Sequence, residues 1–119
     1  MKDNIIIDKS YNFAVHALKT VKFLDRSIEN YVLVKQLVRA ATSIGANAEE
    51  AQGGHTKKDF YYKLNISFKE AKETKYWLRL IKDTQAKMPS QEKDFNDLMN
   101  EADEICKILY SILKTNTEK

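Results

Sequence analysis

Apolar residues recur at steps of three and four through four long stretches of the chain, the spacing that turns one face of an α-helix toward a core. The first stretch predicts a helix over about 9–26, with Tyr11, Ala14, Val15, Leu18, Val21 and Leu24 as its inner stripe. Ser27 to Asn30 reads as a short connection. A second helix over about 31–52 carries Leu37, Ala41, Ile44, Ala48 and Ala51 on one stripe, and Gly53-Gly54 ends it as glycine C-caps commonly do. Thr56 is the expected N-cap of a third helix over about 57–87, with Asp59 three residues on as an acidic capping-box partner. Its seam alternates steps of four and three through Phe60, Leu64, Ser67, Ala71, Thr74, Leu78 and Ile81. Pro89 prevents continuation, and Ser90 is the expected cap of a fourth helix over about 90–114. That helix repeats Leu98, Ala102, Ile105, Leu109 and Ile112, with Phe95, Met99, Cys106 and Leu113 widening the apolar surface.

Short connections make neighbouring helices antiparallel, so the expected fold is all-α, an antiparallel up-down-up-down four-helix bundle in one domain spanning 1–119. Composition agrees: 119 residues with 43% hydrophobic content suit one core, and only three glycines and one proline disfavour turn-rich β architecture. The single Cys106 excludes an intrachain disulfide and fits a buried thiol in a reducing compartment. No apolar run approaches membrane-spanning length, so a soluble cytoplasmic protein with no membrane partner is expected. The last residues, TNTEK, read as frayed.

Charge changes the picture through its distribution. The net charge is only +3, but residues 57–89 hold nine basic and four acidic side chains, while residues 90–119 hold four and seven. Lys72, Lys75, Arg79 and Lys82 recur at steps of three, four and three, one residue out of phase with the seam, so they flank the core and meet solvent. Lys57, Lys58, Lys63 and Lys69 extend the positive character along the same helix. The stripe is either a solvated lysine face or a surface for phosphate backbones of RNA or DNA, which repetition in a symmetric oligomer would strengthen. Tyr61, Tyr62, Phe68, Tyr76 and Trp77 do not all fall on the seam; they either pack between helices or form an oligomer interface. Exposed aromatic surface here, or the acidic fourth helix, would also suit a scaffold or adaptor for an unidentified protein.

Helices two and three, folded back at Gly53-Gly54, place Arg39 opposite Glu70 with Glu73 one turn further, and Asn47 and Glu50 opposite the 59–63 region. Arg39, Ser43, Asn47 and Glu50 share one face at steps of four, four and three. This polar set reads as a structural network that fixes register; a ligand site would need a nucleophile, a tuned base or a metal beside it. His16 and His55 are far apart in sequence and no Glu-x-x-His pair occurs, so no metal, cofactor or catalytic residue is expected. The loop GGHTKK lacks the P-loop pattern, and helix termination explains it.

The run QLVRAATSIGANAEEA over 36–51, followed by KKDFYYKLNISFKEAKETKYWLRLI over 57–81, closely resembles the four-helix-bundle family named for proteins encoded in 23S rRNA intervening sequences. The family's Arg-Ala-x-x-Ser-Ile-x-x-Asn pattern falls on Arg39, Ala40, Ser43, Ile44 and Asn47, with the following Glu at Glu50; its Glu-Thr-x-Tyr-Trp-Leu portion falls on Glu73, Thr74, Tyr76, Trp77 and Leu78. Ala51 stands where many members have Gly, which extends the second helix slightly. The resemblance implies an antiparallel four-helix bundle that assembles as a ring-shaped homopentamer, and the lack of a catalytic cluster makes a non-enzymatic protein the expectation. A related branch, the accessory variability determinant of diversity-generating retroelements, is a strongly basic pentamer that binds nucleic acid and a reverse transcriptase; the mild charge of this chain departs from it. For this chain, weak, sequence-independent RNA or DNA contact through the third helix is the expectation.

Overall fold

A computed structural model describes residues 2–85 and 89–117. Four helices follow one another, α1 (Lys2–Val21), α2 (Ile28–Gln52), α3 (Lys57–Gln85) and α4 (Pro89–Thr117). Each packs on its neighbours in sequence and α1 also packs on α4, which closes the ring of an up-down-up-down bundle 47 × 21 × 20 Å in extent. Cross-helix partners give the direction. Ser67 lies on Ile44 and Lys63 on Glu50, Phe68 on Tyr110 and Lys75 on Asp103, each series running antiparallel.

The expected stripes of α2, α3 and α4 are the observed core, with Leu37, Ile44, Leu64, Leu78, Leu98, Ile105 and Leu109 fully buried. The stripe of α1 is different. Its buried residues are Ile6, Ser10, Phe13, Ala17 and Thr20, continued by Leu24 in the turn beyond, whereas Tyr11 is 63% exposed and Leu18 40%. The true seam runs on the same four-three alternation, but two of its positions are polar, so apolar periodicity points to the wrong face. Ser10 tolerates burial because its hydroxyl donates to Ile7 O at 3.2 Å within its own helix. Its neighbour across the interface is Gly45, where a Cβ would sit 3.1 Å from Ser10 Oγ. A side chain at position 45 would therefore press on Ser10, and the glycine lets α1 and α2 approach closely.

Boundaries differ for local reasons. The isoleucine run at 5–7 lies inside α1, which ends at Val21 instead of continuing to Arg26. Ser27 is the N-cap of α2, not part of a connection: its hydroxyl accepts from the Asn30 N–H at 3.1 Å. The buried Asn30 amide in turn donates to Asp25 O at 2.8 Å and to the Asp25 carboxylate, fastening the turn between α1 and α2. Gly53 ends α2 at φ −91°, without a left-handed cap. Gly54 is needed for space, since a Cβ there would lie 3.2 Å from both Ala51 O and the Phe60 nitrogen. Thr56 caps α3 by accepting from the Asp59 N–H at 3.0 Å. The expected continuation of α3 to Lys87 lies outside the described residues. Pro89 is the first residue of α4, where its missing N–H costs no helical bond, so Ser90 is inside the helix and not its cap. The helix runs on to Thr117, past the expected end at 114.

Candidate nucleic-acid interface

The heptad seam of α3 leaves three outer edges, and the basic residues divide among them. Lys63 lies on the edge toward α2, where it pairs with Glu50 at 3.0 Å. Lys58, Lys69, Lys72 and Arg79 are exposed, while Lys75 and Lys82 are half-buried. Lys57 begins the helix at its exposed end. Lys72 and Lys75 face α4. The Lys72 ammonium sits 5.0 Å from the centre of the Phe68 ring, and Lys75 donates to Asp103 at 2.8 Å. Asp103 also receives Lys107 at 3.3 Å. The hydrogen bond from Lys75, then that from Lys107, hold the Asp103 carboxyl below its ordinary range, and the same bond raises Lys75. This acid therefore stays charged between two lysines over the physiological range.

Between α3 and α4 runs an open groove. Lys58, Tyr61, Tyr62, Asn65, Phe68, Tyr110, Leu113, Lys114 and Asn116 line a stretch of about 590 Å³. A second stretch of about 330 Å³ shares Phe68 and Tyr110 and continues to Lys72, Lys75, Cys106 and Lys107. No acidic side chain among the described residues lines either stretch. Cys106 forms part of the floor, and burial pushes its thiol above the ordinary range, so it sits there as a neutral group. Lys107, Tyr110 and Lys114 bring this surface to α4, a contribution that the acidic balance of residues 90–119 conceals. The signal was spacing: Cys106, Tyr110 and Leu113, and likewise Lys107, Tyr110 and Lys114, recur three and four apart, beside the α4 seam and toward α3.

The aromatic set splits as well. Tyr61, Phe68 and Trp77 pack against the core as half-buried residues. The Tyr61 hydroxyl meets the Thr115 hydroxyl at 3.0 Å, and the Trp77 indole N–H donates to Glu73 at 2.9 Å. Tyr62 and Tyr76 are at least half exposed. The most exposed apolar side chains lie elsewhere, in the α1–α2 turn and the start of α2: Phe23, Ile28 and Tyr31, with the exposed Val32 beside them. Ile28 and Val32 border a nearly all-apolar depression with Leu33 of α2 and Leu80 of α3. Neither turn position nor heptad phase singled these residues out in the sequence, because a helix start reads alike whether its apolar residues face inward or outward.

The α2–α3 polar set is a series of local clamps. Arg39 donates to Glu70 at 3.1 Å, pairs with Glu73 and donates to Gln36 at 3.2 Å, with nearly half of its side chain exposed. Ser43 and Asn47 bond to the carbonyls of Arg39 and Ser43, at 2.7 and 2.8 Å, and so turn back onto α2. The face is shared, but the four side chains do not join into one network. On the far side of the bundle, α1 and α4 are linked by His16 to Glu101 at 2.6 Å and Lys9 to Glu104 at 2.9 Å. Among the described residues no group of three or more His, Cys, Asp or Glu side chains could hold a metal ion. No helix among them is long and apolar enough to cross a membrane.

Comparison with known proteins bears on this geometry. No curated protein matches the chain. Among solved structures it is similar to a crystallised protein of unknown function from the S23 ribosomal protein family of Bacteroides thetaiotaomicron, at 44% identity over 96% of this chain and 99% of that one, with a TM-score of 0.84. The profile of the family described as 23S rRNA-intervening sequence protein matches residues 2–111. With that match over nearly its whole length, the chain belongs to the 23S rRNA-intervening sequence protein family.

Proposed function

We propose that this protein is a non-enzymatic, cytoplasmic, oligomeric bundle that holds RNA or DNA weakly and without regard to sequence through the lysine-bearing flank of α3. One observation carries this reading: the exposed and half-buried lysines of α3 border a groove that α4 extends with Lys107 and Lys114, and no described acidic residue lines it. Lysines distributed along a helix attract a phosphate backbone as point charges and read no bases, which favours sequence-independent contact. Asp103 is the internal competitor, because it pairs with Lys75 and Lys107 at the narrow end of the groove.

The test is a salt titration of wild type and Asp103→Asn against a labelled oligonucleotide. Affinity should fall steeply with salt, with a slope of about 0.7 in log–log terms per phosphate contacted on a single strand. Asp103→Asn should bind severalfold more tightly, with a slope steeper by about 1, because Lys75 becomes available for phosphate and Lys107 no longer shares its charge with a carboxylate. No binding in low-salt buffer would sink the proposal. An unchanged slope would remove Lys75 from the contact.

The ring-shaped homopentamer forms the second part of the proposal. Its support is family membership together with the exposed apolar depression around Ile28, Val32 and Leu80, a surface suited to a second copy. Sedimentation should give a mass five times the 13.8 kDa of one chain. A monomer at micromolar concentration would remove this part. The same depression is what favours the second reading, a scaffold that recruits a different protein.

A further inference from the structure

The groove between α3 and α4 holds a second kind of chemistry beside its lysines. Tyr62 from the α3 wall and Tyr110 from the α4 wall are 65% and 59% exposed, so large parts of both rings face solvent within one groove. Phe68 lies between them on the floor, its ring 6.4 Å from that of Tyr110 and tilted 47° to it, with the Lys72 ammonium 5.0 Å from its centre. Lysines stand at both ends, Lys58 in the wide stretch and Lys107 in the narrow one. Ring faces thus lie between cations along one open channel.

A lysine field alone attracts any polyanion. An acidic peptide would use only the cations and leave the rings in water. In a duplex the base faces are stacked on one another and only edges and phosphates point outward, so the rings would again be idle. An unpaired strand offers both phosphates and free base faces, and stacking on aromatic side chains is tolerant of sequence. The length is also suitable. From Lys58 to Lys75 α3 advances about 25 Å at about 1.5 Å per residue, enough for roughly seven stacked nucleotides at about 3.4 Å each.

We infer that the α3–α4 groove is a single-strand site, in which Tyr62 and Tyr110 stack unpaired bases while Lys58, Lys72 and Lys107 hold the flanking phosphates. This rests on the nucleic-acid reading above and narrows it to unpaired RNA or DNA.

The experiment measures fluorescence anisotropy at low salt with four labelled or competing probes: a 20-nucleotide oligothymidylate, a 20-base-pair duplex, an abasic strand with the same phosphates, and polyglutamate. Wild type should bind the single strand at least about tenfold more tightly than the duplex or the abasic strand, and polyglutamate should compete poorly. Tyr62→Ala and Tyr110→Ala should each weaken single-strand binding by about fivefold or more, leaving duplex binding unchanged. Tyr62→Phe should retain wild-type affinity, because the ring face and not the hydroxyl is used. Both tyrosines are exposed, and an unchanged melting temperature confirms that the variants fold. Equal affinity for all strands, with no effect of the alanine variants, would overturn the single-strand site while leaving the lysine reading intact. Loss of all binding at low salt would remove the lysine reading itself. Effective competition by polyglutamate would reassign the groove to acidic polypeptides.

Discussion

Phe13→Ala is expected to destabilise the bundle by about 3–5 kcal/mol, whereas Tyr11→Ala, two residues away on the same helix, should change stability by no more than about 0.5 kcal/mol. Phe13 is 1% exposed, one of the largest fully buried side chains, and no polar atom accompanies its loss. Removing the ring forfeits its transfer from water and leaves a cavity that neighbouring Ile, Leu and Ala side chains, fixed on rigid helices, fill only in part. Tyr11 is 63% exposed and forms no part of the core. For a domain whose total stability is about 5–15 kcal/mol, the first change consumes a large share and the second is lost in the noise. Urea unfolding at fixed protein concentration measures both. A large loss from Tyr11→Ala with a small one from Phe13→Ala would mean that α1 is rotated by about 100° from this orientation.

Lys58→Glu, Lys72→Glu and Lys107→Glu combined should weaken oligonucleotide binding by about a thousandfold at 50 mM salt. At that concentration, counterion release makes each lost phosphate contact worth roughly tenfold, and the three residues border the groove from both helices. Net charge alone would contribute, since three reversals take the chain from +3 to −3. The control is therefore Lys19→Glu, Lys22→Glu and Lys35→Glu, three exposed residues on α1, the turn after it and α2, with the same change in net charge. That control should lose far less. Equal losses would show that binding follows overall charge and that the groove is no site, and the measurement is a titration of both variants at matched salt.

The extent to which the sequence disclosed this molecule varies by helix for physical reasons. In α3 and α4 nearly every seam position is apolar, so the four-three alternation identifies the buried face without ambiguity. In α3 the polar seam residues Ser67 and Thr74 did no harm to that phase, because Leu64, Ala71, Leu78 and Ile81 bracket them. The Ser67 hydroxyl donates to Ile44 O at 2.7 Å across the α2–α3 interface, a bond that a seam position alone does not reveal. In α1, Ser10 and Thr20 occupy the seam while Tyr11 and Leu18 lie outside it, and hydrophobicity then selects the wrong stripe. Helix ends were legible where a side chain caps in the common way, as at Thr56, and not where a buried Asn30 fastens the preceding turn.

The groove was half legible. The lysine stripe on α3 follows directly from spacing, but its counterpart on α4 is hidden by the seven acidic residues of the segment 90–119. Glu101 and Glu104 serve α1, Asp97 pairs with Lys93 four residues earlier, and Asp103 turns toward Lys75 of α3. Charge summed over a helix erases such distinctions; charge sorted by heptad position preserves them.

Every residue of the groove stands on a helix, and none on a connecting loop. An inserted or deleted residue within α3 or α4 would turn everything beyond it by about 100° and carry Tyr110 or Lys72 out of alignment along with the core. Over evolutionary time such a surface can exchange one side chain for another at a fixed position, but it cannot grow or shrink. Descendants of this bundle should therefore differ in what the groove recognises while keeping its length and spacing constant.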